Sequence, residues 1–238
     1  NFCFARVATR TRASVSKIER HIERKNETYE NMNVDLSRTP MNVTFKSCGN
    51  LTYNEYLDQL VDQGKVSLRG LKPDAKVFDE MILDVNTEYF GQNGGYEYAC
   101  RFYEEAYRFA KQLYGKENIV SAVMHADELN TAMTEKYGKP VYHYHLHVMA
   151  LPVVDKEIRW SKRCKAPEKI GTVKEVVHQV SHSKKWKSEK ALDKNGQPVL
   201  NSKGKPVYRT SYSILQDQFF DHMATAGFAD IQRGERGS

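Results

Sequence analysis

Three histidines stand at alternate positions in the run VYHYHLHVMALPVV, Val141–Val154: His143, His145 and His147. Tyr, Leu and Val favour pleated structure, and alternate residues of a strand share one face, so all three rings project the same way. Two neighbouring rings can converge on one metal ion. Three rarely can, because i to i+4 spans about 13 Å of strand. The spacing alone leaves open whether His143 or His147 is the partner of His145. A further histidine, His125, ends the apolar run NIVSAVMH, with Asp127 and Glu128 just after it. If the two strands pair antiparallel, His125, His145 and His147 meet on one sheet face. Such a three-histidine shell leaves coordination positions open, as catalytic sites do. Imidazole serves several divalent metals, so ligand type does not choose among them. Asp127 and Glu128 are placed to support the ligands or to act as a base.

The elements that must position these groups are legible in outline. NFCFARVATR reads as a strand. SVSKIERHIERKN reads as a helix behind Ser14 as cap, with Val15, Ile18 and Ile22 on one face. A turn-rich stretch, NVDLSRTPMNVTF, ends in a strand. LTYNEYLDQLVDQG is a helix with a Thr52/Glu55 capping box, apolar Leu57, Leu60 and Val61, and Gly64 as its stop. AKVFDEMILDV is a strand of buried character. In GYEYACRFYEEAYRFAKQLYG, Ala99, Phe102, Ala106, Phe109 and Leu113 step by three and four, and Gly115 ends the helix. A polar connection, Leu129 to Lys139, separates the two histidine strands. GTVKEVVHQVS has a second capping-box spacing, Thr172 and Glu175, which signals a helix start. LDKNGQPVLNSKGKPVYRTSY has two turn signals, Asn195-Gly196 and Lys203-Gly204, and reads as hairpin material. ILQDQFFDHMATAG is a helix with Leu215, Phe219, Met223 and Ala226 inward. No repeats or low-complexity tracts stand out. The expected class is α+β: a central, mainly antiparallel sheet flanked by helices, with an added basic β-hairpin segment.

Composition narrows the function. The 238 residues are 40% hydrophobic, with 14 Tyr and 10 Phe, enough for a folded core. No apolar run is long enough to span a membrane and no signal-peptide pattern opens the chain. The four cysteines, Cys3, Cys48, Cys100 and Cys164, form no C-x-x-C pair, which argues against disulfides and fits a reducing cytoplasm. The chain begins without Met and ends in polar RGERGS, so a trimmed piece of a longer protein, with a region after Ser238, is expected. Charge is uneven. Lys156–Arg209 holds 15 Lys and Arg against 5 Asp and Glu, a net +10, while the rest nets −4. A basic module on a mildly acidic body points to a polyanion, most often nucleic acid. Trp160, Trp186, Tyr208 and Tyr212 interleave with it, as in single-strand platforms. Lys184, Lys185, Trp186 and Lys187 are its densest candidates for DNA contact.

These residues resemble a known family. His-hydrophobic-His on a central strand is the signature of the HUH endonucleases, and the chain resembles their MobV-type (Pre/Mob) plasmid mobilisation relaxases. HIERKNETYENMNVDLSRTPMN resembles the first motif, through His21, Arg24, Arg38 and Asn42. KVSLRGLKPDAKVFDEMIL resembles the second, through Arg69, Lys72 and Glu80. HADE followed by HLHVMALP resembles the third, and Pro152 sets its register on His145 and His147, leaving out His143. The likeness covers most of Asn1–Pro152. The connection between His125 and His145 is longer than the family form, Lys72 stands where arginine is usual, and Lys156–Arg209 has no clear counterpart.

The resemblance implies a chain whose whole length is a nicking domain; within it the charge of 156–212 marks a basic DNA-binding elaboration. It implies metal-dependent cleavage and rejoining of one strand at a transfer origin through a covalent 5′-phosphoprotein, initiating mobilisation of a plasmid or transposon. His21 is then the nucleophile, Glu128 orients it or accepts its other proton, Arg24 with Arg69 and Lys72 neutralises phosphate charge, and His125, His145 and His147 hold a divalent ion, Mn²⁺ foremost and Mg²⁺ or another divalent ion next. Arg38, Asn42, Arg69, Lys72 and Glu80 join the basic run as DNA-binding candidates. The rival nucleophile is a tyrosine, Tyr29 first, then Tyr53 and Tyr56. Implied partners are origin DNA, single strand with adjacent hairpin or duplex, a coupling or relaxosome accessory protein, and a second copy through a missing C-terminal region. Two other classes compete. A cupin-like metal oxygenase needs a carboxylate ligand near His-x-His and glycine-rich paired strands. A non-catalytic DNA-binding module needs neither metal nor a reactive His21.

Overall fold

The structure, a computed structural model, describes residues 1–29, 33–228 and 230–235, so Asn31 of the first motif and the end of RGERGS lie outside the described residues. In chain order the elements are β1 (Phe2–Thr11), α1 (Arg12–Ile22), β2 (Val43–Lys46), α2 (Tyr53–Asp62), β3 (Lys76–Val85), α3 (Thr87–Gln92), α4 (Gly95–Tyr114), β4 (Ile119–His125), α5 (Thr131–Tyr137), β5 (His145–Ala150), β6 (Val153–Arg159), β7 (Val173–Val180), α6 (His182–Lys185), β8 (Glu189–Lys190), β9 (Tyr208–Arg209), α7 (Ser211–Thr225) and β10 (Gln232–Arg233). Six strands form the central sheet in the order β10-β1-β3-β5-β4-β2. Every pairing in it is antiparallel except β10 with β1.

Strand β5 is buried on both faces because the sheet carries helices on both sides. Leu146, Val148 and Ala150 join Met81, Leu83 and Val85 of β3 in a core closed by α4 and α7. Phe102, Ala106 and Phe109 of α4, with Leu215, Phe219 and Met223 of α7, are its helical half, as the periodicity predicts. The other core gathers Val15 and Ile22 of α1, Tyr53, Leu57 and Leu60 of α2, and Met149 of β5. On that second face His145 and His147 alternate with the inward apolar residues, so one strand serves a core with one set and a site with the other.

Helix α1 is fixed closely because it brings His21 to the sheet. Its cap is Thr11, not Ser14: Thr11 accepts from the Ser14 N–H and Ser14 returns the bond, so Ser14 closes a box from the third position. The helix stops at Ile22, earlier than expected, and Arg24 sits in the left-handed region at φ 51°. The buried Glu19 accepts the Tyr53 N–H at 2.9 Å, capping α2, and the Lys25 ammonium at 2.8 Å. Glu23 accepts the Tyr53 hydroxyl at 2.7 Å and that of Ser121 at 2.6 Å. The two glutamates bracket His21 and set the rotation of its helix.

Elsewhere the structure corrects the expectations. Val173–Val180 is a strand, not a helix behind Thr172, because it pairs along its length with β6. Ala226 is exposed and caps α7 rather than packing inward. The connection between the histidine strands contains α5, carried on a continuing ladder in which His143 N–H donates to Glu128 O at 2.8 Å and Asn130 N–H to Val141 O at 2.8 Å. Its extra length therefore projects outward and leaves the register of β4 on β5 intact. Between β8 and β9 the chain holds a repeat that the sequence reading passes over: LDKNGQPV, 192–199, then LNSKGKPV, 200–207. All four cysteines are free. Among the described residues no helix is long and apolar enough to cross a membrane.

Candidate active site

The β4–β5 register sets His125 directly opposite His145, with His147 two residues further along. Ring centroids lie 5.2 Å apart for His125 and His145, 4.8 Å for His125 and His147, and 4.9 Å for His145 and His147. His125 Nε2–H donates to the Ile22 carbonyl at 2.9 Å, so Nδ1 is the ring atom left to face the site. That Nδ1 is buried with no hydrogen-bond partner and faces Glu128 Oε1 at 3.4 Å. His145 Nε2 and His147 Nε2 face each other at 3.1 Å, and Glu128 Oε2 is 3.9 Å from His145 Nε2. His125 Nδ1, the two Nε2 atoms and the Glu128 carboxylate thus converge on one spot. Bonds of about 2.1 Å from a divalent cation to nitrogen would put adjacent ligand atoms roughly 3 Å apart. The residues fit such an ion. Two overlapping groups have ligand atoms mutually within 4.8 Å: His125, Glu128 and His145, and His21, His125 and His147. Glu128 is thus itself a candidate ligand.

The supporting contacts are as informative. His147 Nδ1 faces Glu80 Oε1 at 3.3 Å, an ion-pair distance rather than a well-formed hydrogen bond. Glu80 is held by Arg10, whose Nε and Nη2 donate to it at 2.8 and 2.5 Å. Burial pushes the Glu80 carboxyl up, but His147 and Arg10 outweigh it and hold it below the usual range. Burial likewise keeps the imidazoles neutral: His145 falls well below its ordinary value and His147 to about 4. Neutral rings are what a metal needs.

His21 stands at the rim, 28% exposed by its side chain, where the three sheet histidines are buried. Its ring is 5.5 Å from that of His125 and 5.7 Å from that of His147. His21 Nε2 faces Glu128 Oε1 at 3.4 Å. Arg24 is beneath, only 4% exposed. Its Nε and Nη2 donate to Asp127 at 2.9 and 2.7 Å, Nη2 also to Glu128 at 2.7 Å, and Nη1 to the His21 carbonyl at 2.6 Å. The remaining Nη1 contact is His21 Nδ1 at 3.5 Å. With its donors engaged, Arg24 positions Glu128 and His21 and has none to spare for a phosphate. Asp127, fully buried, also accepts from Thr39 at 3.0 Å and Asn42 at 2.8 Å. Burial raises its carboxyl, but Arg24 and Asn42 prevail and hold it low.

Comparison with known families identifies the chain's relatives. The model of the family described as plasmid recombination enzyme matches residues 1–213. The chain belongs to that family. Among curated members, a plasmid recombination enzyme of a Bacillus species is 25% identical over all of this chain and 43% of its own length. A type 2 enzyme of Staphylococcus aureus is 25% identical over 95% of this chain and 40% of its own. The chain thus spans about two fifths of the length of these relatives. Among solved structures, the MobM relaxase domain, Mn-bound and bound to plasmid oriT DNA, covers all of this chain and 93% of that one, at a TM-score of 0.65 and 19% identity. A second crystal of that domain gives 0.63. The fold of this family member is that of a relaxase domain.

The expected DNA contacts divide. Arg69, 78% exposed by its side chain and 3.7 Å from the exposed Glu175, and exposed Lys72 can meet a ligand, as can Lys184 and Lys187. Arg38 is partly so, with its guanidinium 3.7 Å over the Tyr142 ring and Nε donating to the Ala126 carbonyl at 3.2 Å. Four others are turned inward. Asn42 braces Asp127 and accepts the Ala126 N–H at 2.7 Å. Glu80 is 2% exposed behind His147. Lys185 donates to the Leu113 carbonyl at 2.5 Å, and Trp186 Nε1–H to the buried Asp79 at 2.5 Å. His143 is outside the metal cluster: its Nδ1 meets Thr87 Oγ1 at 2.9 Å, its Nε2 faces Asp84 at 3.4 Å, and its ring stacks on His145. Tyr53 is buried with its hydroxyl on Glu23, and burial pushes it far above the range in which it could act as a nucleophile. Tyr29 turns its hydroxyl to the Arg20 carbonyl at 3.3 Å. The Arg10–Glu80–His147 line is the arrangement that sequence reasoning missed; Glu80 was legible as a motif member, but the sheet register that aims it at His147 was not.

Proposed function

We propose that the chain is the DNA-nicking part of a mobilisation relaxase, cutting one strand at a transfer origin and remaining attached to the 5′ phosphate. The observation that carries this is a partly exposed imidazole, His21, beside a buried cluster of three histidines and a shared carboxylate. The open helix-flanked sheet does not fit a cupin barrel. His125, His145 and His147 would hold the divalent ion, with Glu128 in reach; the carboxylate suits Mn²⁺, while three imidazoles beside it disfavour Mg²⁺. When bound, the ion supplies Lewis-acid charge at the non-bridging oxygens of the scissile phosphate.

The protein's part follows from the contacts. Arg24 donates to the His21 carbonyl and to Glu128, which holds the ring and the carboxylate together at the rim. The His21 ring nitrogen that carries the lone pair attacks phosphorus in line. The N–P bond forms, the bond to the 3′ oxygen breaks, and the 3′ oxygen leaves and is protonated from water. Glu128 stabilises the positive ring that results. The phosphoramidate conserves bond energy for rejoining. Arg69, Lys72 and the basic segment 156–212 supply charge along the strand. The remaining length of the family relatives is the natural place for a second copy or accessory proteins to associate, and a cytoplasmic setting fits a plasmid substrate.

The test is nicking of supercoiled plasmid carrying the DNA that flanks the protein's own gene, with Mn²⁺, resolved with SDS and protease. Open circles that need Mn²⁺ and are lost in His21→Ala, with protein on the 5′ end, are expected. Nicking that survives His21→Ala moves the nucleophile to Tyr29. Absence of nicking and of metal leaves a DNA-binding module only.

A further inference from the structure

The repeat between β8 and β9 builds a small module with approximate threefold symmetry. Asp193 and Asn201 head equivalent turns: Asp193 Oδ1 accepts the N–H groups of Asn195 and Gln197 at 2.8 and 2.9 Å, and Asn201 Oδ1 those of Lys203 and Lys205 at 2.9 and 3.0 Å. Gly196 and Gly204 take φ 75° and 70°, as the turns demand. Leu192 pairs with Pro198 and Leu200 with Pro206, giving two short fingers, while Lys190 pairs with Tyr208 in the stem. At the hub Val199 N–H donates to Ala191 O, Val207 N–H to Val199 O, and Ala191 N–H to Val207 O, at 2.8, 2.8 and 2.9 Å. The three residues that follow these positions, Leu192, Leu200 and Tyr208, are equivalent, and all are exposed, at 59, 57 and 55%. A self-contained fold that leaves its equivalent apolar side chains in water implies a partner.

Its position and charge say which. The stem runs into α7, where Thr210 and Tyr212 line a groove of about 1000 Å³ with Phe4, Arg6 and Asp84. A second hollow of about 250 Å³ shares Phe4 and Asp84 and reaches His143, which stacks on His145. The two hollows thus adjoin between His143 and the root of the module. Within the fingers Lys194, Lys203 and Lys205 face a single acid, Asp193, whose oxygen is committed to its own turn. A single-strand platform needs several aromatic faces, and the module offers only Tyr208. Leucines flanked by Lys, Asn and Gln are instead what minor-groove binders press against sugars and base edges.

Resting on the DNA-nicking reading, we propose that the two-fingered module 189–209 clamps duplex DNA adjoining the cleaved strand, with Leu192, Leu200 and Tyr208 in the minor groove and Lys194, Lys203 and Lys205 on the phosphates. The test uses the full chain without metal and three fluorescent probes: a stem-loop with a single-stranded tail, the stem-loop alone, and a poly-dT tail alone. Lys194→Ala/Lys203→Ala/Lys205→Ala should lose roughly a hundredfold in stem affinity near physiological salt, with the salt slope flattened by about 2.7. Leu192→Ser/Leu200→Ser/Tyr208→Ser should lose stem affinity with its salt slope kept. Both should bind the tail as the parent does, which also shows that they fold. Stem affinity unchanged in either variant, an equal loss on tail and stem, or a parent that does not bind the stem would overturn the clamp. Stem binding needs neither metal nor His21, so a failure of nicking alone counts against the proposed function and not against the module.

Discussion

Replacing Arg24 with Met isolates the network beneath His21. The guanidinium is 4% exposed and neutralises Asp127, which is fully buried, while also holding Glu128. Met fills the volume but leaves Asp127 with only Thr39 and Asn42 as donors. Removing one partner of a buried pair costs about 3–5 kcal/mol, because the remaining charge is stranded rather than merely unpaired. In a chain of this size each kcal/mol moves the melting temperature by about 2–4 °C, so a fall of roughly 6–20 °C is expected. Circular dichroism melts in EDTA at neutral pH measure it. Arg24→Gly offers an internal check. The left-handed φ of 51° strains any side chain, so Gly should recover about 1 kcal/mol of the loss while forming none of the contacts. The double variant Arg24→Met/Asp127→Leu removes both charges and should be more stable than Arg24→Met alone. An Arg24→Met protein that melts within about 2 °C of the parent would refute the buried network.

Other outcomes follow from the same contacts. The metal-free protein should lose stability as pH falls from about 6.5 to about 4: there the unfolded chain binds a proton that folded His147 refuses, worth about 3 kcal/mol by urea midpoints, and saturating Mn²⁺ should deepen the dependence. A flat profile over that window would place His147 in solvent. Glu80→Gln should weaken Mn²⁺ binding by about 10–100-fold in calorimetry with the fold intact, since it loosens His147 without removing a ligand. Trp186→Phe should cost about 1–3 kcal/mol by removing one of the two donors to Asp79 Oδ2, the Tyr114 hydroxyl remaining, while single-strand DNA affinity stays at the parent value; a large affinity loss with no loss of stability would return Trp186 to the DNA surface.

Much of the centre was readable because its information is local. Histidines two apart on a strand share a face whatever the fold, and the spacing of α4 declares which side is buried. The residues that deceived did so for one reason: their partners are distant in sequence. Glu80 and Asn42 look like solvent-facing polar groups of DNA-binding motifs until the register puts Glu80 behind His147 and Asn42 against Asp127. Thr172 and Glu175 have the spacing of a helix start, yet β6 pairing overrides a local preference worth about 1 kcal/mol. Trp186 interleaves with lysines, but its indole N–H answers a buried carboxylate on β3.

Asp127 and Glu128 show how adjacent carboxylates come to divide their work. They follow the last residues of β4, where the chain is held on both sides: Asp35 N–H donates to Asp127 O at 2.8 Å, and His143 N–H to Glu128 O at 2.8 Å. With the backbone extended, neighbouring side chains point apart. Asp127 turns into the protein and serves as the anchor for Arg24, Thr39 and Asn42, so the first-motif segment is tied to the strand through it. Glu128 turns to the site and meets His21, His125 and His145. Arg24 bridges the two, which makes the geometry of the reactive carboxylate depend on the structural one. Asp127→Asn should therefore disturb Glu128 at second hand, lowering nicking while Mn²⁺ still binds. Glu128→Gln should lower both if Glu128 is a ligand, and nicking alone if it serves only His21. Calorimetry with Mn²⁺ on the two variants separates these roles before any DNA is added.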